Sequence, residues 1–321
     1  MTFIKKQFLP IGLIVAAVIG ITFPAPGIWL SQMPTGLVAV TIIFLISGLV
    51  LKTDDIKVAL GAWTATLWGC SSILLVTPAI GVCLVMWIPM DGSLKLGLAL
   101  FCCMPTTLSS GVALTTQARG NVAMALLLTV MTNIGGVFVV PFVIVIAIGN
   151  ITGDSQLELS ATALLFKLCL VVLVPLAIGK ALRSRCRAWV DSRRGTLSMI
   201  SNLALILIPW MEFSHSGKRL MGLDAIDLLL LVVASQAVHG IYLLLNTGVS
   251  KLLPIDTATR KAVILMASQK TLPVALAVLA FLPVAAEVRA LATISCIVFH
   301  LGQIIMDAFI ATHWANAAGD S

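Results

Sequence analysis

Ten apolar runs follow one another along the chain, parted only by short polar or Pro/Gly-containing stretches. This succession constrains the fold more than any single motif. The runs are 8–23, 36–51, 60–88, 94–114, 121–148, 161–182, 197–213, 226–253, 262–282 and 288–314. A helix needs about 20 such residues to cross a bilayer. The second and seventh runs are short, whereas the third, fifth and eighth are long enough to tilt. Within each run the apolar residues are continuous and do not alternate with polar ones, which favours helices over a barrel. Hydrophobic residues make up 60% of the 321 positions and charged residues 10%, against about 45–50% and about 25% in soluble domains. Mean hydropathy is +1.10. So few charges cannot cover a water-exposed surface, and ten crossings leave no length for a sizeable extramembrane domain. The chain is expected to be an all-α polytopic membrane protein whose function lies inside the bilayer.

The formal charge of +7 raises the question of a nucleic-acid partner, but its distribution argues for topology instead. Of the twenty Lys and Arg, fourteen fall on the side that carries the N-terminus, including Lys5, Lys6 and the cluster from Lys180 to Arg194. Four, Lys95, Lys218, Arg219 and Arg289, fall on the other. The positive-inside bias then places both termini in the cytoplasm, and no nucleic-acid partner is expected. Residues 1–23 resemble a signal peptide but run into FPAPG without a small-residue cleavage site, so they read as the first crossing. The seven cysteines lack CxxC spacing and read as small packing residues.

Ten crossings divide as five plus five. An odd number per half makes the second half enter from the opposite side, as in an inverted repeat. The fourth run is interrupted by MPTTLSSG (residues 104–111) and the ninth, fourth in its own half, by ASQKTLP (residues 267–273). Paired interruptions at corresponding positions point to a transporter binding site. Polar residues at mid-run collect in the third to fifth and eighth to tenth helices: Ser71, Ser72, Thr106, Thr107, Ser109, Ser110, Thr129, Thr132, Asn133, Gln236, His239, Ser268, Gln269, Lys270, Thr271, His300, Gln303 and Asp307. The first, second, sixth and seventh helices are nearly bare, Asn202 being the exception. Single Ser and Thr in such helices commonly bond the i−4 carbonyl, and the face shared by His300, Gln303 and Asp307 is expected to pack against the core. Lys167, near a helix end, is expected to reach the headgroups. Lys270 is too deep for that, about 12 Å from the nearer helix end. An ammonium there costs about 2.5–3.5 kcal/mol on the lenient scale, so it should face a cavity or a partner.

At these residues the sequence resembles the bile acid:sodium symporter superfamily. The matching segments are FCCMPTTLSSGVALT (101–115), SQKTLPV (268–274) and HLGQIIMD (300–307), with LIPWMEFSHS (207–216) also similar. The likeness is strongest to the branch holding the plant plastid members and the vertebrate seventh member. It implies ten transmembrane helices in two inverted five-helix repeats, with discontinuous helices four and nine crossing in a core domain. The panel would comprise residues 1–58 and 151–222, and the core 59–150 and 223–321. It further implies alternating access of a small organic anion, the substrate and main partner besides lipid, coupled to sodium and needing no cofactor. Substrate contacts are assigned to Thr106, Thr107, Asn133, His239, Lys270, Thr271, His300 and Gln303. Sodium ligands are assigned to Ser109, Ser110, Gly111, Thr129, Ser268 and Gln269. The carriers of bile acids have an acidic residue where Ile264 and Leu265 stand, and a neutral polar one at Lys270. The lysine is therefore expected to replace one sodium and to offer positive charge to the anion, or to couple transport to protons. A sensor with the same fold is the alternative. An enzyme is disfavoured, because HExxH and GxSxG are absent, and a channel by the paired breaks. The expected location is the cell membrane, with a plastid envelope as the alternative.

Overall fold

The computed structural model of the chain describes residues 8–51, 62–107, 110–152 and 160–317. Every regular element among them is helical. In chain order these are α1 (Phe8–Thr22), α2 (Pro24–Ser31), α3 (Thr35–Val50) and α4, which runs from Trp63–Ser71 through a π-helical turn, Ser72–Val76, into Thr77–Met86. Then come α5 (Gly92–Cys102), α6 (Ser110–Gln117), α7 (Val122–Thr152) and α8, which likewise passes from Ala161–Leu168 through a π-helical turn, Cys169–Leu173, into Val174–Ser192. The remainder are α9 (Arg194–Met221), α10 (Ala225–Leu252), α11 (Thr257–Ser268), α12 (Leu272–Phe281) and α13 (Ala286–Ala317).

Among the described residues, seven spans are long and apolar enough to cross a membrane, taking α11 with α12 as one. The number is eight if α1 and α2, which meet at 99°, form one more. The bend has a local cause: Pro24 opens α2, where its missing N–H costs nothing but cannot serve the preceding helix. Two of the ten runs fall short of a full span. α3 has 16 residues, and the fourth run is cut by its break to an 11-residue α5. The expected boundary between residues 58 and 59 lies outside the described residues.

Helix starts follow the sequence. Asp91 caps α5 by accepting from Ser93 N at 2.8 Å, Ser160 caps α8, and Asp256 caps α11 by accepting from Thr259 N at 2.9 Å. Packing gathers α1, α2, α3, α8 and α9 on one side and α4, α5, α10, α11 and α13 on the other, with α9 also lying against α13 and α7 against α8. α9 lies along α1, α2 and α3, and α8 lies along α3. α5 lies along α13, which also meets α10, while α11 is enclosed by α10, α7 and α4. The α11–α12 span is innermost: 94% of it is buried, whereas no other span exceeds 44%. Large apolar side chains such as Phe138, Phe142, Leu244 and Phe309 point outward, as lipid-facing residues do.

Close approach depends on glycine where backbones touch. A Cβ on Gly48 of α3 would strike the Leu176 carbonyl of α8, and one on Gly179 of α8 would strike the Leu45 carbonyl of α3. Without a strong hydrophobic drive between helices in lipid, such contacts carry much of the association. Gly179→Leu should therefore lower the unfolding temperature of the detergent-purified protein by several degrees. Gly240→Ala, where nothing lies within 4 Å of the new Cβ, should leave it unchanged or raise it.

Candidate functional site

Two segments leave the helical pattern in the middle of the interior. After α5 the chain runs through Cys103–Thr107 without regular structure, and Gln269–Thr271 separate α11 from α12. Pro105 cannot continue a helix, and Pro273 fits the first turn of a new one. Thr106, Thr107, Gln269, Lys270 and Thr271 are all 2% exposed or less, so their freed backbone groups need protein partners. The Thr271 N–H donates to the Pro105 carbonyl at 2.9 Å, and the Thr106 hydroxyl donates to the Met266 carbonyl. Gln303 of α13 clamps Lys270 from both sides, accepting from its N–H at 2.9 Å and donating to its carbonyl at 2.6 Å. The Asn133 amide of α7 donates to the Thr106 carbonyl at 3.0 Å. The two breaks are thus stitched to each other and to two flanking helices.

A directed chain of hydrogen bonds runs through this crossing to Asp307. Gly111 N–H donates to Thr107 Oγ1 at 2.9 Å, Thr107 donates to Gln269 Oε1 at 2.8 Å, and Gln269 Nε2 donates to Asp307 Oδ2 at 2.6 Å. Gly111 must lack a side chain here, since a Cβ would meet Thr107 Oγ1 and lie 2.7 Å from Met266 sulfur. From α10, His239 Nε2 lies 2.9 Å from Asp307 Oδ1 and its Nδ1 lies 3.2 Å from the Ser268 carbonyl. A carbonyl only accepts, so Nδ1 carries a hydrogen and one proton is shared between His239 and Asp307. Asp307, expected merely to pack, is instead the acceptor on which these bonds converge. Asn246, which the sequence reading passed over, joins the same region: its Oδ1 accepts from Ser72 at 2.8 Å and from Trp68 at 3.1 Å, and its amide donates to Ser268.

Lys270 has a protein partner, as its depth requires, but not toward open space. Its Nζ donates to the Ile73 carbonyl at 2.8 Å and to Thr77 Oγ1 at 2.9 Å, and sits 5.8 Å from the centre of the Tyr242 ring. Ile73 belongs to the π-helical turn of α4, whose wider winding presents a carbonyl to the amine. Lys167, expected to reach the headgroups, lies over Phe281 at 5.5 Å from its ring centre.

A cavity of about 190 Å³ opens between the two helix groups. Thr107, Ser110, Thr129, Thr271 and His300 line one wall. Ser47 of α3 and Ser198, Ser201 and Asn202 of α9 line the other, with Leu9, Ile43 and Leu205 among the apolar lining. Of the expected substrate contacts, Thr107, Thr271 and His300 reach this cavity. Thr106, Asn133, His239, Lys270 and Gln303 do not, because each is spent on the crossing or on its neighbours. Of the expected sodium ligands, Ser110 and Thr129 line it, Gly111, Ser268 and Gln269 belong to the hydrogen-bond network, and Ser109 lies outside the described residues. The α9 wall was missed except for the hint that Asn202 stands in an otherwise bare helix. At the far end of α9, Glu212 pairs with Arg289 of α13 at 3.2 Å, closing the groups where the cavity does not reach.

Two broken helices crossing beside a cavity between two packed groups are the build of a membrane transporter. The chain belongs to the SBF-like CPA transporter family, whose sequence profile matches residues 7–316. It is 36% identical, over 97% of this chain and 76% of the relative, to the Oryza sativa subsp. japonica protein named "Probable sodium/metabolite cotransporter BASS4, chloroplastic". An Arabidopsis thaliana protein of the same name is 34% identical over 100% of this chain and 75% of its own length. Sodium/bile acid cotransporter 7 of Rattus norvegicus is 24% identical over 96% of this chain and 92% of its own. The protein is an integral membrane transporter and not an enzyme.

Removing Asp307 would leave His239 and Gln269 without their acceptor in a fully buried site. Asp307→Ala should cost about 3–5 kcal/mol of stability, read by thermal unfolding in detergent. The Asp307→Ala/His239→Ala pair should cost clearly less than the sum of the single changes; strict additivity would contradict the shared-proton pair.

Proposed function

We propose that the chain is a secondary active carrier that moves a small organic anion by alternating access. The observation that carries this reading is the crossing of the two breaks against one wall of the cavity. In it the ten apolar runs are ten crossings forming two inverted five-helix repeats, with α3 a short crossing and α5 completed by α6 across its break. Residues 1–58 and 151–222 form the panel, residues 59–150 and 223–321 form the moving core, and both termini are cytoplasmic. The α1–α3, α8 and α9 grouping supports that division. The cavity lies toward the Ser198 end of α9, and Glu212–Arg289, about 21 Å along the helix, closes the opposite end.

The substrate anion binds where α6 and α12 begin. Helix N-termini present N–H groups and a partial positive charge to anions, and Thr107, Ser110 and Thr271 place hydroxyls there. Relatives named as sodium cotransporters support sodium coupling. Sodium asks for several hard oxygens, which Thr107, Thr129 and Gln269 can offer. The one buried carboxylate at the crossing, Asp307, is already engaged by His239 and Gln269. Lys270 takes two oxygens of its own, Ile73 O and Thr77 Oγ1, as a bound cation would. In this reading its ammonium stands in for one sodium, so transport needs fewer sodium ions than in the bile-acid carriers, or none. Its direction away from the cavity leaves the anion to the helix ends.

A thermal-shift screen of the purified protein against small organic anions, in sodium and in potassium, tests this. Stabilisation by an anion that survives replacement of sodium by potassium is expected. A strict sodium requirement would overturn the lysine role while leaving the carrier, and stabilisation without flux into proteoliposomes would make the protein a sensor. Lys270→Met should cut uptake by more than tenfold. Normal, equally sodium-dependent uptake by that variant would contradict the proposal.

A further inference from the structure

The α9 wall is polar and open to the cavity: Ser198 is exposed, and Ser201 and Asn202 are half-buried. Ser198, Ser201 and Asn202 stand at i, i+3 and i+4, on one face of the helix and toward the cavity. The default for a serine in an apolar helix is to donate to the i−4 carbonyl. Ser47 of α3 does so with Ile43 at 2.7 Å, and so does Ser214 in α9 itself with Trp210 at 2.8 Å. Among the described residues, the side chains of Ser198, Ser201 and Asn202 have no hydrogen-bond partner. The crossing presents the opposite picture, with Thr106, Gln269 and Gln303 all engaged within the protein. An amide left without a partner among membrane helices costs free energy unless water or a ligand satisfies it, and Asn202, half-buried, lines the cavity, where either can enter.

The cavity's chemistry narrows what that ligand is. Among the described residues its lining contains no Asp, Glu, Lys or Arg, and the α9 wall itself offers a ligand only neutral hydrogen bonds. An asparagine amide both donates and accepts, as does a hydroxyl. Ile43, Ile46, Val50 and Leu205 add an apolar lining suited to a carbon skeleton. The volume of about 190 Å³ lies below the ~300–1,000 Å³ of sites for drug-sized ligands, which favours a small solute.

We infer that Asn202, with Ser201 and Ser198, is a specificity site that reads a hydroxyl on the substrate, and that the substrate class is a small hydroxylated carboxylate. The inference rests on the carrier reading, in which the carboxylate end sits at the starts of α6 and α12. Asn202 then meets a hydroxyl on the carbon skeleton from the facing wall. Asn202 discriminates among acids, and the helix ends hold what all of them share.

The test uses three acids with one skeleton: propionate, lactate and glycerate, carrying no, one and two hydroxyls. Binding to the purified full-length protein is read as thermal stabilisation over a millimolar titration. The wild type should prefer glycerate to propionate by roughly tenfold, the scale of one hydrogen bond to a neutral group. In Asn202→Leu that ratio should fall to about twofold or less, and Ser201→Ala, a milder change that guards against misfolding of the first variant, should reduce it in part. Equal binding of the three acids by the wild type, or an undiminished ratio in both variants, would overturn the inference and leave the anion carrier standing. Failure of all three acids to bind would overturn the anion reading together with it.

Discussion

Backbone satisfaction at the crossing is the constraint on which the rest of the structure depends. Non-helical chain at that depth has no water to turn to, so each freed N–H and carbonyl requires a protein partner. The neighbours of the breaks are chosen accordingly: Pro105 accepts from Thr271, Gln303 brackets Lys270, and Asn133 holds Thr106. These bonds occupy most of the polar side chains that the mid-membrane region contains. What is left over, on the helix ends at Ser110 and Thr271 and on the bare face of α9, is what a substrate can use. The division between residues that hold the site and residues that bind follows from which hydrogen bonds are already taken.

The same logic explains Lys270 and Asp307, the two groups that cost most to bury. Neither faces the cavity. Lys270 is held by the π-helical turn of α4 and Asp307 by His239 and Gln269. Each has its hydrogen bonds met by protein groups. A charge in the membrane signals function in general, yet here its immediate work is to hold the crossing in one geometry, through which any coupled ion would have to act.

Much of this was legible in the sequence, because the relevant signals are local. The apolar runs and the paired breaks at MPTTLSSG and ASQKTLP depend on composition and on proline. The grouping of polar residues on six of the ten runs also anticipated which helices surround the crossing. Direction was not legible. Periodicity puts Lys270 at the right depth, but it does not reveal that a π-helical turn one helix away offers Ile73 O. Nor does it reveal that His239 and Asp307, 68 residues apart, share a proton. The α9 wall was nearly invisible for the converse reason: Ser198 and Ser201 look like ordinary helix serines until their missing i−4 bonds are seen. Asn202 was the only residue there whose cost in lipid could have drawn notice.

The central claim is that the protein's cavity lies between the two helix groups and that the lysine at the crossing is turned away from it. One residue from each place tests this directly. In a cysteine-free background reconstituted in liposomes, a membrane-impermeant thiol reagent applied from the N-terminal side should label Ser201→Cys, half-buried on the cavity wall, quickly. Lys270→Cys, fully buried and facing α4, should stay unlabelled on the same timescale. Equal labelling of the two positions, or labelling of Lys270→Cys alone, would contradict the account.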